Sequence, residues 1–487
     1  MPEAVYRMMT LLCTLVAPVP VGTNLGLLHL LWMLVSGRLL ATRRAVIPGL
    51  SESGLSRGAV RRAWAALGQG DWTSAALLTR WRGLVAAEGY WQPHTHGGYR
   101  PVAVDVTAFW RPRLRACPTV HYHAEAGRAV PAIPLGLIAR VGSVGRQRLA
   151  LPLALVRADA ADPRPGTQER LLVRAAVAQC AADDALVLDA GFGLALLHAE
   201  GATRYVVRLA KNSAFRRARP PAYGGRGRPP SRGEMVRPLP RTYKGRAIPA
   251  TPPDRTETWH EEGVLVRAEV WTDLVLQTDA PKAKAKAKAK AKAKAKAKAK
   301  AKAKAKAKAK AEAEAEAEAE AKGPTFTVVA VYDPRYREPL LLASPLSVAP
   351  PVLRDLYRDR WSVEHPPLAA KQMRGAARAF VHAPETCQRL PELALLAGVI
   401  LSYAAATAPA IPTGFWDRRP QPTPGRLRRA LARCPFPHDF PLPARIRLKK
   451  AHTAHLPTGF WGQRRRGVAA SVADSAQPCP APLDEVA

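Results

Sequence analysis

Apolar residues recur at helical spacing through Leu25-Gly-Leu-Leu-His-Leu-Leu-Trp-Met-Leu-Val, and residues 1–95 read as helical. Within them, Ser51-Glu-Ser-Gly-Leu-Ser-Arg-Gly-Ala-Val-Arg-Arg-Ala-Trp has the form of a short helix, a turn and a basic helix. That stretch fits a helix-turn-helix that binds DNA and fits equally a surface helix with solvated arginines. From Tyr99 the pattern changes to strands. Pro101-Val-Ala-Val-Asp-Val-Thr-Ala-Phe, Ala132-Ile-Pro-Leu-Gly-Leu-Ile-Ala and Leu149-Ala-Leu-Pro-Leu-Ala-Leu-Val predict three strands. A helix follows over 167–180, then a strand at Ala185-Leu-Val-Leu-Asp-Ala-Gly-Phe, a helix over 194–200 and a strand at Arg204-Tyr-Val-Val-Arg-Leu. This order predicts an α/β fold.

Residues 210–253 are rich in Arg, Gly and Pro, and strand-like runs return at 263–276 and 325–331. Between those runs, 281–322 repeats Lys-Ala and then Glu-Ala with a period of two and offers no apolar face in either helical or strand register. Dense like charge predicts a solvated tract, and its period also suits slippage of a short DNA repeat. Residues 350–380 read as partly helical and 390–406 as an apolar helix. Beyond 410 the chain is rich in Pro and Arg and repeats Pro-Thr-Gly-Phe-Trp at 412 and 457. The resulting division is a helical region 1–95, an α/β core begun by 96–215, a β-rich insertion 216–345, completion of the core by 346–408 and a loosely ordered tail 409–487.

Composition sharpens this picture. The 487 residues carry a formal charge of +36, of which the 16 Lys and 5 Glu of 282–322 supply +11. The +25 left over is almost all Arg and points to a polyanionic partner, nucleic acid before membrane, with an Arg-biased GC-rich genome as the bland alternative. The six cysteines show no Cys-x-x-Cys spacing and read as thiols of a reducing cytosol, not as a zinc site or disulfide framework. Pro18, Pro20, Asn24 and His29 interrupt the apolar start, so neither a membrane span nor a signal peptide is expected.

Candidate chemistry begins with Asp105, inside an apolar strand, and Asp189, at the end of another. A carboxylate there is costly unless paired or bound to metal, and two on neighbouring strands favour a metal. A stronger signal is Tyr357-Arg-Asp-Arg-Trp-Ser-Val-Glu-His-Pro-Pro-Leu-Ala-Ala-Lys, with Tyr357, Arg360, Glu364 and Lys371 at offsets of 0, 3, 7 and 14. At about 100° per residue these fall within roughly 60° of one helix face. Such a stripe suits a helix that presents a carboxylate to metal while a phenol and two cations face phosphates.

This spacing, Tyr-x2-Arg-x3-Glu-x6-Lys, resembles the signature of a large group of bacterial insertion-sequence DDE transposases, and the likeness in element order extends over about residues 95–405. The resemblance implies an RNase H-like core with a β-rich insertion before the Glu helix. It implies Asp105, Asp189 and Glu364 as catalytic metal ligands, and Tyr357, Arg360 and Lys371 as contacts to transposon-end DNA. It further implies N-terminal helices that help bind terminal inverted repeats, a target DNA, a homodimer in the synaptic complex and a nucleoid-associated cytoplasmic location. Hard oxygen ligands favour two Mg²⁺ ions, with Mn²⁺ able to substitute, over zinc. The chain departs from the group at Pro366 and Pro367 and in its Lys-Ala tract. Prolines just past Glu364 push His365 towards extended geometry and leave two outcomes. In the favoured one the helix breaks there and Lys371 leaves the shared face; in the other, packing holds a kinked continuous helix and the stripe survives imperfectly. A transposase-derived DNA-binding protein without catalysis, and a metal-dependent nuclease without strand transfer, are the competing readings.

Overall fold

A computed structural model describes residues 3–446 except 112–113, 115–116, 118, 158–165, 223–231, 277–323, 374–380 and 413. The Lys-Ala tract and the second Pro-Thr-Gly-Phe-Trp lie outside the described residues. The chain opens with helices α1 (Glu3–Val16), α2 (Asn24–Val35), α3 (Arg38–Ala41), α4 (Val46–Glu52), α5 (Arg57–Gln69) and α6 (Ser74–Glu88). Strands β1 (Trp91–Pro93), β2 (Arg100–Trp110), β3 (Val120–His123), β4 (Arg128–Val144) and β5 (Gln147–Arg157) follow. Next come α7 (Thr167–Gln179), β6 (Asp184–Leu188), α8 (Leu194–Ala199) and β7 (Tyr205–Arg208). Short strands β8 (Phe215–Arg217), β9 (Met235–Val236), β10 (Arg241–Tyr243) and β11 (Arg246–Ile248) lead to β12 (Arg255–Glu261), β13 (Val264–Val275), β14 (Phe326–Tyr332) and β15 (Leu340–Ser344). Helix α9 (Pro350–Asp359), a 3₁₀ segment (Arg360–Glu364), α10 (His365–Leu368), a π turn (Ala369–Met373), α11 (Pro384–Thr407) and α12 (Pro424–Ala432) complete it.

The α/β expectation holds as a large mixed sheet with helices on both faces. Strand β4 pairs antiparallel with both β2 and β5, while β6 runs parallel to β2 and β7 parallel to β6, giving the order β5-β4-β2-β6-β7. Beyond β7 the sheet does not stop: β15, β14 and β13 continue it antiparallel, so strands expected in an insertion extend the core sheet. Alternation along β2 and β6 sorts side chains to two faces. Val102, Val104, Leu186 and Leu188 pack with Leu172 and Val173 of α7 on one face. Ala185 and Val187 pack with Leu353, Leu356 and Tyr357 of α9 on the other.

The N-terminal helices form no separate core; they share one with α11, α12 and residues up to Ile446. Helix α2 is buried on nearly all sides, as its unbroken apolar run requires. At Gly26 it meets α5 so closely that a Cβ would lie 2.7 Å from the Arg62 carbonyl oxygen. Arg7 of α1 donates to both Glu88 oxygens at 2.7 and 2.6 Å, and the Tyr403 hydroxyl of α11 donates to Glu88 at 2.6 Å. Among the described residues α11 alone is long and apolar enough to cross a membrane, and most of it is buried against α2, α5 and β5. Of the tail expected at 409–487, residues 409–446 apart from 413 are described, and they include a helix. Helix α12 is capped by the Thr423 hydroxyl, and Phe436 packs edge-on against His29 and Trp32, so aromatic anchors offset the prolines.

Candidate active site

Register places the two aspartates side by side. Val104 of β2 lies opposite Leu188 of the parallel strand β6, and the next residue along each is Asp105 and Asp189. Neighbouring strands stand about 4.8 Å apart, and equal phase in a parallel pair sends both carboxylates to the same face. That face is the one covered by α9 and the 3₁₀ segment, because Val104 and Leu188 point to the other. Val363 anchors the 3₁₀ segment in a small apolar cluster with Ala103, Leu137, Ala139, Val141 and Ala150. Glu364 follows directly.

The motif side chains converge on the acids. The Tyr357 hydroxyl donates to Asp189 Oδ1 at 3.4 Å, the Ala190 backbone N–H donates to the same oxygen at 2.7 Å, and Arg208 stands 3.8 Å away. An Arg360 guanidinium N–H donates to Glu364 Oε1 at 2.6 Å. Arg360 is 2% exposed and Tyr357 3%, so both polar ends face inward to the acids in this structure. Lys371 places Nζ 4.8 Å from the ring centre of Trp110 and 5.5 Å from that of Phe109, both on β2.

Electrostatics agree with that geometry. Burial pushes the Asp105 carboxyl up to about 6; Arg360 opposes this, while the charges of Glu364 and Asp189 add to it. Burial works against the Arg360 charge, yet Tyr357, Asp189 and Glu364 together hold its pKa above the ordinary value. Burial lowers the Lys371 ammonium to about 8, against the pull of Asp105. Lys371 therefore still senses Asp105.

The prolines act differently from the expectation. His365 stays helical at φ −65° and ψ −45°, and the backbone does not turn extended. What changes is the hydrogen-bond ladder. Pro366 and Pro367 lack the donors that would reach back four residues, so the His365 N–H bonds to Ser362 O in a tighter turn. Helix α10 then starts with both prolines buried at its first turn, where proline is tolerated.

The donor set fits a hard divalent cation: three carboxylates, one of them resisting ionisation beside its neighbours, whose repulsion a cation would relieve. The three do not gather with ligand atoms within 4.8 Å of one another; among the described residues His94, His96 and Asp359 do. Glu364 is instead engaged by Arg360. Sequence reasoning missed Arg208 and that second trio. A His-x-His pair and an Asp inside the motif were the signals for the trio. No protein-family model matches the chain, and no curated protein matches it either.

Proposed function

We propose that the chain is a DDE transposase of the insertion-sequence type, cleaving DNA at transposon ends and joining those ends to target DNA, on an RNase H-like core. The observation that carries this reading is the register of Asp105 beside Asp189, under a helical segment from which Tyr357 reaches Asp189 and Arg360 reaches Glu364. A three-strand antiparallel meander followed by two parallel strands supports the RNase H-like assignment.

In this reading Asp105, Asp189 and Glu364 hold two Mg²⁺ or Mn²⁺ ions. When bound, such ions supply activation of an attacking water or 3′-hydroxyl and neutralisation of the departing oxygen. The protein's own part is orientation. Tyr357 and Ala190 fix one oxygen of Asp189, and Arg360 holds Glu364. Arg360 and Lys371, beside the acids, balance their charge and stand ready for phosphate oxygens once DNA enters. Helix α5, capped by Ser56 and exposing Arg57 and Arg61, supports duplex binding by the N-terminal helices. The +25 outside the Lys-Ala tract supplies general affinity for the DNA backbone. A homodimer in the synaptic complex belongs to the same proposal.

The test uses the full chain, Mg²⁺ and a linear DNA carrying the gene with its flanking sequence. Asp105→Asn, Asp189→Asn and Glu364→Gln should each lower end cleavage by at least about a thousandfold, about 4 kcal/mol of transition-state stabilisation. Gel-shift binding should persist in all three. One variant cleaving at the parent rate would remove that residue from the triad. Binding without cleavage by the parent would instead favour a non-catalytic derivative, and cleavage without joining a nuclease.

A further inference from the structure

A second cluster lies beside the candidate active site. After β1 the chain turns through His94-Thr-His96-Gly-Gly, and both histidines aim at one carboxylate. His94 Nδ1 is 2.9 Å and His96 Nε2 2.8 Å from Asp359 Oδ2. The two imidazoles approach from different directions, with ring centres 6.0 Å apart and planes at 77°. Their backbones are pinned: the His94 N–H donates to Val141 O at 3.0 Å, and His96 exchanges hydrogen bonds with Tyr99 at 2.9 and 3.0 Å. Gly97, at φ +55°, lets the turn sit against α9, where a Cβ would meet Val352 at 2.8 Å. Asp359, at the end of α9, is 1% exposed, and Arg148 Nε lies 3.1 Å from its other oxygen.

We propose that His94, His96 and Asp359 form a binding site for a single zinc-type divalent cation, separate from the carboxylate triad. Two imidazole nitrogens and one carboxylate oxygen are the three-ligand set that zinc takes with a fourth position left to water. In a tetrahedral site with bonds of about 2.0–2.1 Å, ligand atoms stand about 3.3 Å apart. The observed 2.8 and 2.9 Å lie a few tenths of an ångström inside that value, and the two imidazole nitrogens stand within 4.8 Å of each other. Side-chain exposures of 22% for His94 and 25% for His96 leave an open side for the cation and its water. Arg148 forms an ion pair with Oδ1, and both imidazoles address Oδ2, which makes Oδ2 the ligand atom. The site would clamp the 94–98 turn onto the end of α9, from which Arg360 and Glu364 follow within the next five residues. Its role is positioning, and the assignment does not rest on the transposase reading.

The full chain, stripped with a chelator and dialysed, should take up one zinc per chain in calorimetric titration and elemental analysis. His94→Ala and His96→Ala should each weaken zinc by at least about 100-fold, whereas Asp105→Asn should keep it. Cobalt in place of zinc reports the ligands directly. Intense visible absorption of a tetrahedral ion without a thiolate band supports the site even where a variant fails to fold. Absent zinc uptake by the parent, uptake undiminished in the double histidine variant, or a cobalt–thiolate band would each overturn the proposal.

Discussion

His29 sits on α2 with 4% of its surface exposed, its ring edge-on to Phe436 and its Nδ1 without a hydrogen-bond partner. Burial, and behind it the charges of Arg62 and His438, lowers its pKa from 6.5 to about 4. The unfolded chain protonates this ring below pH 6.5 while the folded chain resists until about 4. The stability it contributes is therefore complete above pH 6.5 and is lost as pH falls towards 4, with no further loss below. That difference corresponds to about 3 kcal/mol. His29→Leu should keep the neutral-pH thermal midpoint within a few degrees and flatten its fall between pH 7 and 4. Melts of both proteins across that range check it, and equal slopes would show that the ring titrates unhindered. In the sequence His29 registers only as an interruption of an apolar run. Asp105, Asp189 and Glu364, in contrast, stand out because a carboxylate in an apolar strand, or at a fixed motif spacing, is unusual without any knowledge of its neighbours. The trio of His94, His96 and Asp359 offers only the His-x-His spacing as a local sign, and 263 residues separate His96 from Asp359, so the sequence does not show that they meet.

Elements followed the same divide. Strands β2, β4, β5, β6, β13 and β14 fall where apolar runs and alternation place them, because burial on one or both faces writes itself into composition. Strand β12 was missed: Arg-Thr-Glu-Thr-Trp-His-Glu exposes much of both faces, and its partner β13 supplies the pairing. Glu261 at its end is then committed to Arg354 and Arg358 of α9, and Arg354 also pairs with Asp333, which ties that helix to the sheet. The segment after α9 was readable as helical, but not its change of ladder. A proline donor deficit can be relieved by a break or by tightening, and only packing decides. Here Pro366 and Pro367 are both buried in the first turn of α10, and Pro366 lines a small cavity together with Trp81, Trp91 and Tyr403. Five residues in a 3₁₀ turn advance about 120° each in place of 100°, so Glu364 is rotated by up to about 80° from the α-helical stripe. Pro366→Ala with Pro367→Ala restores two donors and should return Glu364 towards Tyr357. End cleavage by the double variant, compared at equal protein and Mg²⁺, should rise several-fold. Equal rates would mean that the ladder change does not limit the site.

At the scale of the whole molecule, one sheet runs from the meander β5-β4-β2 through β6 and β7 into β15, β14 and β13, and one helical core joins α1–α6 to α11 and α12. Neither continuity was readable, because a boundary drawn from composition sees the Arg- and Pro-rich stretches and not the strands that pair across them. The same continuity decides what the charged tract can cost. Strands β13 and β14 are antiparallel neighbours with Leu274 opposite Phe326, so the chain leaves and re-enters the sheet at adjacent strand ends. Any connection long enough to turn a hairpin can join them, and residues 281–322 lie outside the described part of the chain. Loop-closure entropy grows by about 0.6 kcal/mol per doubling of length, so cutting roughly fifty residues to about six favours folding by about 2 kcal/mol at most. Replacing 281–322 with a short Gly-Ser linker should leave the thermal midpoint unchanged or raise it by a few degrees. The replacement also removes +11 of the +36 formal charge, so non-specific DNA affinity should fall and its salt dependence flatten. The two readouts separate the alternatives. A midpoint lowered by many degrees would mean that the tract packs against the fold, and an unchanged salt slope would mean that its lysines stay clear of DNA.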